Sequence, residues 1–172
     1  MSVICVIPAR YQSSRYPGKP LVQLRGVSGK SMSLIERSWR AACAVSGFDA
    51  VYVATDDDRI RDAAQGFGAQ VVMTSSDCVN GTERCAEALN NLGQNVEMVV
   101  NLQGDAPLTP AWFLEELITG LRADPSADIA TPVLRCDVKP WPHSKRIVRQ
   151  AALAEPRPFL AARTKHFIFQ RK

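Results

Sequence analysis

Three cations, two serine hydroxyls and one glycine fall within the stretch Pro8-Ala9-Arg10-Tyr11-Gln12-Ser13-Ser14-Arg15-Tyr16-Pro17-Gly18-Lys19-Pro20. Arg10, Arg15 and Lys19 offer fixed positive charge, and Ser13 and Ser14 add hydroxyls beside free backbone N–H groups. Phosphate is the ligand that suits such donors best. The stretch follows neither common phosphate fingerprint. No second glycine stands five residues before Gly18, as a P-loop would need, and the three glycines of a dinucleotide turn are missing. Taken alone, it also reads as a solvated basic loop.

A second stretch, Asn101-Leu102-Gln103-Gly104-Asp105-Ala106-Pro107-Leu108, follows an apolar run. Gly104 lets the backbone turn and approach a ligand, and Asp105 then stands where Mg²⁺ bound to a nucleotide would be held. Mg²⁺ takes one or two carboxylates and fills its shell with phosphate oxygens and water. A plain turn aspartate is the alternative. In Asn80-Gly81-Thr82-Glu83-Arg84, Thr82 can cap a helix and leave N–H groups and Arg84 to an anion. The alternative there is simple capping with Arg84 on a solvated face. Asp56, Asp57 and Asp58 read chiefly as carboxylates that complement a helix dipole. No Gly-x-Ser-x-Gly elbow occurs, and Cys5 and Cys43 have no histidine near them in sequence. A reaction in which the substrate brings its own nucleophile fits best, because it asks mainly for positioning and charge neutralisation.

The elements that must position these residues alternate along the chain. Residues 3–7, 50–54, 70–73, 98–102 and 129–133 read as buried strands. Between them, Ser31 caps a helix with Met32, Ile35, Trp39 and Ala42 on its apolar face, ended by Gly47. The aspartates at 56–58 open a helix carrying Ile60, Ala63, Ala64 and Phe67. A third helix, 82–92, turns Cys85, Ala86, Leu89 and Leu92 inward. A fourth starts at Thr109, with Pro110 as its first helical residue, and runs to Leu121. This β-α alternation predicts an α/β fold, a doubly wound, mostly parallel sheet with helices on both faces. In such sheets ligands bind at the carboxyl ends of the strands. Beyond Leu134 the pattern degrades, since Pro140, Pro142, Pro156 and Pro158 forbid a long regular element. Only 167–169 reads as a late strand.

With 172 residues the chain fits a single nucleotide-binding α/β domain, 1–172. A net charge of +4 without any Lys/Arg block argues against nucleic acid and for small anionic ligands. Five scattered cysteines, no C-x-x-C pair, and His143 and His166 as the sole histidines argue against structural zinc. No leader pattern or membrane-length apolar run is read, so no membrane partner and a cytoplasmic location are expected.

Taken in order, IPARYQSSRYPGKPL, VYVATDDDRI, NGTERCAEAL and VVNLQGDAPL resemble the nucleotide-binding half of 3-deoxy-manno-octulosonate cytidylyltransferase, or CMP-Kdo synthetase. The resemblance runs from residue 3 to about 133. The S-S-R-x-P-G-K-P form favours the Kdo type over the acylneuraminate type. It implies coupling of CTP to the anomeric hydroxyl of an eight-carbon sugar acid with release of pyrophosphate, a need for Mg²⁺, a nucleotide-diphospho-sugar transferase-like fold and a homodimer. By resemblance, Ala9 and Arg10 lie against the nucleotide, Ser13, Arg15 and Lys19 surround the triphosphate, and Arg84 approaches it. Gln103 faces the sugar acid and Asp105 binds Mg²⁺. Arg10, Lys19 and Asp105 would carry the catalysis. Glu83 stands where the family has aspartate, and Ala106 where it has glutamate. Residues 134–172 match poorly and read as a divergent, shortened sugar-side and dimerisation segment, in which His166 after Lys165 would touch the sugar acid. The rival expectation is a truncated paralogue that binds nucleotide or a protein partner with little or no catalysis.

Overall fold

The computed structural model of the chain describes residues 2–13 and 16–131, and the backbone of 169–171. The all-apolar opening run forms β1 (Val3–Ala9), buried at every position. A loop leads from it to one 3₁₀ turn, Lys19–Leu21. A short antiparallel hairpin follows, β2 (Gln23–Arg25) and β3 (Ser31–Ser33). Then come α1 (Leu34–Cys43), β4 (Ala50–Thr55), α2 (Asp58–Gly66), β5 (Gln70–Met73) and α3 (Gly81–Leu92). The order closes with β6 (Met98–Asn101), α4 (Ala111–Ala123), β7 (Ile129–Ala130) and β8 (Phe169–Arg171).

Among the described residues the main sheet has six strands in the order β5-β4-β1-β6-β8-β7. β1 lies between β4 and β6 and pairs with both in parallel, and β5 continues the parallel run beyond β4. β8 is antiparallel to both of its neighbours, β6 and β7. The expected fifth strand is thus present from Ile129, but it pairs with β8 and not directly with the parallel set.

Side chains alternate across a strand, and β1 shows how this builds the core. Val3, Cys5 and Ile7 pack on one face with Ile35 and Ala42 of α1, Ile60 and Ala64 of α2, and Leu114, Ile118 and Leu121 of α4. Ile4 and Val6 pack on the other with Tyr52, Val72, and Cys85 and Ala88 of α3. Among the described residues helices cover both faces, three on one side and α3 alone on the other. Burying one such Ile or Leu side chain contributes roughly 1.5–3 kcal/mol.

The helix starts differ in detail from the sequence expectation, each for a local reason. Ser31 opens β3, and the cap of α1 is Ser33, whose Oγ accepts from the Glu36 amide in a Ser-x-x-Glu arrangement. Asn80 caps α3, because its Oδ1 accepts from the amides of both Thr82 and Glu83. Thr109 does not cap α4: its hydroxyl donates to the Ala106 carbonyl, and Pro110 precedes the first helical residue, Ala111. Ala86, expected inside, is exposed, while Arg84 and Ala88 are buried. Cys43 ends α1 in an exposed position and is not a core residue. The four late prolines and the first two residues of the expected late strand, Phe167 and Ile168, lie outside the described residues.

One buried hydroxyl ties α1 to the carboxyl edge of the sheet. Ser38 is fully buried, and its Oγ lies 2.8 Å from the Gly104 carbonyl and 3.3 Å from that of Leu34. Ser38→Ala takes the donor from the half-buried Gly104 carbonyl, which is expected to cost about 1 kcal/mol. Urea unfolding should show a lower midpoint with an unchanged slope. An unchanged midpoint would mean that this contact does not hold the loop.

Candidate active site

The carboxyl ends of β1 and β6, neighbours in the sheet, release the two loops that carry the expected chemistry. The β1 loop folds back on itself, because the Gly18 amide donates to the Tyr11 carbonyl at 2.8 Å. Gly18 has φ +70°, and a Cβ there would stand 3.1 Å from the Tyr11 ring. Both observations call for glycine. The 3₁₀ turn begins directly after it, and Lys19 projects from that turn.

Lys19 Nζ reaches Asp105 Oδ2 at 2.6 Å, joining residues 86 positions apart in the chain. Their side chains remain 46% and 41% exposed, so solutes reach both members of the pair. Gly104 shapes the β6 loop for a reason other than the one expected. Its φ is not left-handed. A Cβ there would lie 3.0 Å from the Pro8 carbonyl and 3.2 Å from Ile35 Cδ1. The glycine therefore allows the β6 loop to close onto the end of β1, and Asp105 is set beside Lys19 as a result.

Gln103 is half-buried, and its Nε2 donates to the buried Asn101 Oδ1 at 2.8 Å. A Cβ on Gly81 would approach Gln103 Nε2 and Pro8 Cγ to 3.0 Å, which places the first turn of α3 against both loops. Ala9 is the last residue of β1, buried and in register with Thr55, so what it presents at this edge is backbone. Arg10, directly after it, is exposed. Ser13 is half-buried, and its Oγ accepts from the Tyr16 amide at 3.4 Å. Arg15 and His166 lie outside the described residues.

Arg84 is only 3% exposed. Its guanidinium donates to Thr74 Oγ1 and to the Ser75 carbonyl, and it stands 3.3 Å from Asp56 Oδ1. Thr74 and Ser75 follow β5, and Asp56 follows β4. One side chain of α3 therefore gathers the carboxyl ends of two strands. Sequence reasoning missed this placement although a signal was available: Arg84 shares a helical stripe with Cys85 and Ala88, which face the core. It also missed Tyr11 and Arg59, whose guanidinium carbon lies 3.3 Å above the Tyr11 ring centre.

The titrating groups point away from thiol chemistry. Burial pushes the Cys85 thiol up to about 12. Burial and the Glu87 hydrogen bond push Cys78 up to about 11. Arg59 holds the Asp57 carboxyl below its ordinary value, chiefly through side-chain hydrogen bonds. Among the described residues no three His, Cys, Asp or Glu side chains gather as a metal cluster. No described helix is long and apolar enough to cross a membrane.

Residues 4–165 match the family model described as Cytidylyltransferase. The chain belongs to the cytidylyltransferase family that contains the CMP-Kdo synthetases. It is 52% identical over 134 residues to the 3-deoxy-manno-octulosonate cytidylyltransferase of Maricaulis maris, an alignment covering 78% of this chain and 50% of that protein. It is 49% identical over 120 residues to the 8-amino-3,8-dideoxy-manno-octulosonate cytidylyltransferase of Shewanella sediminis, covering 69% of this chain and 47% of that one. Among solved structures, CMP:2-keto-3-deoxy-manno-octonic acid synthetase complexed with CTP matches with a TM-score of 0.68 and 40% identity, covering 76% of this chain and 52% of its own. The chain thus spans about half the length of these relatives. Its α/β sheet, parallel in β5, β4, β1 and β6 and flanked by helices, is the nucleotidyltransferase-like fold, and its ancestry is that of CTP-dependent nucleotidyltransferases.

Proposed function

We propose that the chain is the nucleotide-binding part of a CMP-Kdo synthetase-type enzyme, joining CTP to a 3-deoxy-octulosonate-type sugar acid. The observation that carries this reading is the meeting of Lys19 and Asp105 at the carboxyl ends of two adjacent parallel strands. A cation and a carboxylate in contact, both open to solutes, form a pair that a metal-bound polyphosphate can divide between them. The ammonium turns to a phosphate oxygen and the carboxylate to the metal.

The donor set fits Mg²⁺. Asp105 is a half-exposed carboxylate at this edge, and one carboxylate suffices where phosphate oxygens and water complete the shell. Mg²⁺ held there supplies charge neutralisation and orientation of the reacting oxygens. The chain's own residues do the rest. Lys19 donates to the phosphates from a turn fixed by Gly18, and Arg10 adds a guanidinium just beyond β1. Ser13 adds a hydroxyl in the same loop, the family resemblance assigns Arg15 to the triphosphate, and the Ala9 backbone lines the nucleotide. Arg84 serves the nucleotide by holding the first turn of α3 in place. Gln103, oriented by Asn101, faces the sugar acid, to which the family resemblance also assigns His166. The anomeric hydroxyl of the sugar acid gives up its proton to solvent water as its oxygen bonds to the α-phosphorus, the bond from that phosphorus to the bridging oxygen breaks, and pyrophosphate leaves.

Calorimetric titration tests the binding half: CTP should bind more tightly than ATP or GTP, and removing Mg²⁺ should weaken it. Equal affinity for the three nucleotides would overturn the reading. Pyrophosphate release from CTP and Mg²⁺ that depends on Kdo tests the catalytic half; binding without release would favour the non-catalytic paralogue. Lys19→Ala is expected to weaken CTP binding by about tenfold, the worth of one charge-assisted hydrogen bond. Unchanged affinity would remove Lys19 from the site.

A further inference from the structure

The Lys19–Asp105 contact depends on a turn whose support lies outside the two loops that make it. Asp57 caps α2, and its carboxylate grips the Arg59 guanidinium at both oxygens, Nε to Oδ1 at 2.9 Å and Nη2 to Oδ2 at 2.6 Å. That fork fixes the plane and the place of the guanidinium. Its carbon lies 3.3 Å from the centre of the Tyr11 ring, a cation–π stack. The hydroxyl end of the same ring borders Gly18, with Cε2 and Cζ 3.1 Å from where a Cβ would stand. The Tyr11 carbonyl takes the Gly18 amide at 2.8 Å. Gly18 opens the turn on which Lys19 sits, and α2 packs against that turn.

The geometry points to Arg59 and Tyr11 as positioning residues for Lys19. Arg59, aimed by Asp57, presses the Tyr11 ring into place, and the ring in turn fixes Gly18 and the lysine that follows it. Neither residue needs to touch a substrate to do this. Each could serve the fold alone, but their place in the structure argues otherwise. Arg59 is a mostly exposed side chain, 59% accessible, and it lies outside the core. Its loss should therefore leave global stability nearly unchanged and loosen the turn. Each contact in this series occurs within the chain alone. Its effect on CTP, by contrast, rests on the function proposed above.

Two measurements separate these layers. Amide hydrogen exchange of the ligand-free protein, read by NMR at Gly18, tests the clamp itself. In Arg59→Gln, exchange at Gly18 should rise about two- to fivefold, the factor equivalent to an exposed cation–π contact. The melting temperature should stay where it was, and amides in β1 and β4 should keep their protection. Arg59→Lys retains a cation and should recover part of the protection. Tyr11→Leu should match or exceed the Arg59→Gln effect at Gly18. Unchanged exchange at Gly18 in Arg59→Gln would overturn the clamp, as would equal acceleration throughout the sheet. CTP titration of the same variants then reads the consequence. Affinity should fall by a similar factor in Arg59→Gln and recover in Arg59→Lys. A Gly18 amide that loosens with CTP affinity unmoved would keep the clamp and overturn its role in positioning Lys19. Failure of the parent chain to bind CTP would instead overturn the proposed function while the exchange result stood.

Discussion

Asp105→Asn is expected to lower turnover by about 10²–10³-fold, the usual loss when one group aimed at transition-state charge is removed. CTP affinity should change far less, by under about tenfold, because Mg²⁺ replaces one ligand with water readily. The substitution keeps the shape of the side chain and removes its charge, so Lys19 loses an ion pair and retains a neutral acceptor 2.6 Å away. Fold stability should barely move, since both side chains are more than two-fifths exposed and such pairs contribute little. The split is the diagnostic part. On the proposed function, Lys19→Ala should act on binding, whereas Asp105→Asn should act on the rate. Single-turnover pyrophosphate release at saturating CTP would measure the second. Full turnover in Asp105→Asn would show that the metal is held elsewhere.

Arg84→Met should be the most destabilising single change at this end of the sheet, by about 2–4 kcal/mol. Arg84 is 3% exposed and gathers Thr74, Ser75 and Asp56 around one guanidinium. Methionine fills much of the volume but leaves a hydroxyl and a carbonyl without their donor and a carboxylate without its counter-charge. The carboxylate is the costly one. Asp56 is 18% exposed, so water recovers part of the loss and holds the figure below that of a fully buried pair. Denaturant unfolding of Arg84→Met and Arg84→Lys would check this, and the lysine variant should fall between methionine and the parent. A methionine variant of parental stability with lost CTP affinity would make Arg84 a direct nucleotide contact, as the family resemblance implies.

The parallel order of the fold was legible because each crossover is local and strongly patterned. Residues 50–54 and 70–73 are short runs that each carry two valines and are followed by helix-starting carboxylates or turns, and both proved to be strands. The small hairpin of β2 and β3 was not legible. Its strands have three residues each and expose much of their length, which leaves no hydrophobic alternation to read. Lys19 and Asp105 were legible as residue types at strand ends, but their contact was not, because the pairing of β1 with β6 is set by tertiary packing. Arg84 shows the opposite difficulty. Its charge suggested a ligand, while its position on the inward stripe of α3 decided its place. Tyr11 and Arg59 gave no signal at all: an aromatic in a loop and an arginine in a first helical turn are each ordinary, and their stacking depends on the angle at which α2 meets the β1 loop.

The placement of β8 governs the order in which this sheet can be completed as the chain is synthesised. Among the described residues β7 has one neighbour in the sheet, β8, and β8 alone links it to β6. Ribosomes deliver residues 129–130 well before 169–171. Until β8 emerges, β6 and β7 lack the partner that, among the described strands, joins them and covers the outer edge of β6. Such an edge is the kind of backbone surface that recruits another strand. The nascent chain therefore passes through an interval in which its own unfinished edge competes with neighbouring polypeptides for that vacant position. Loop-closure entropy grows only slowly with the length of the intervening segment, so sequence separation sets the timing of that interval more than the strength of the final pairing.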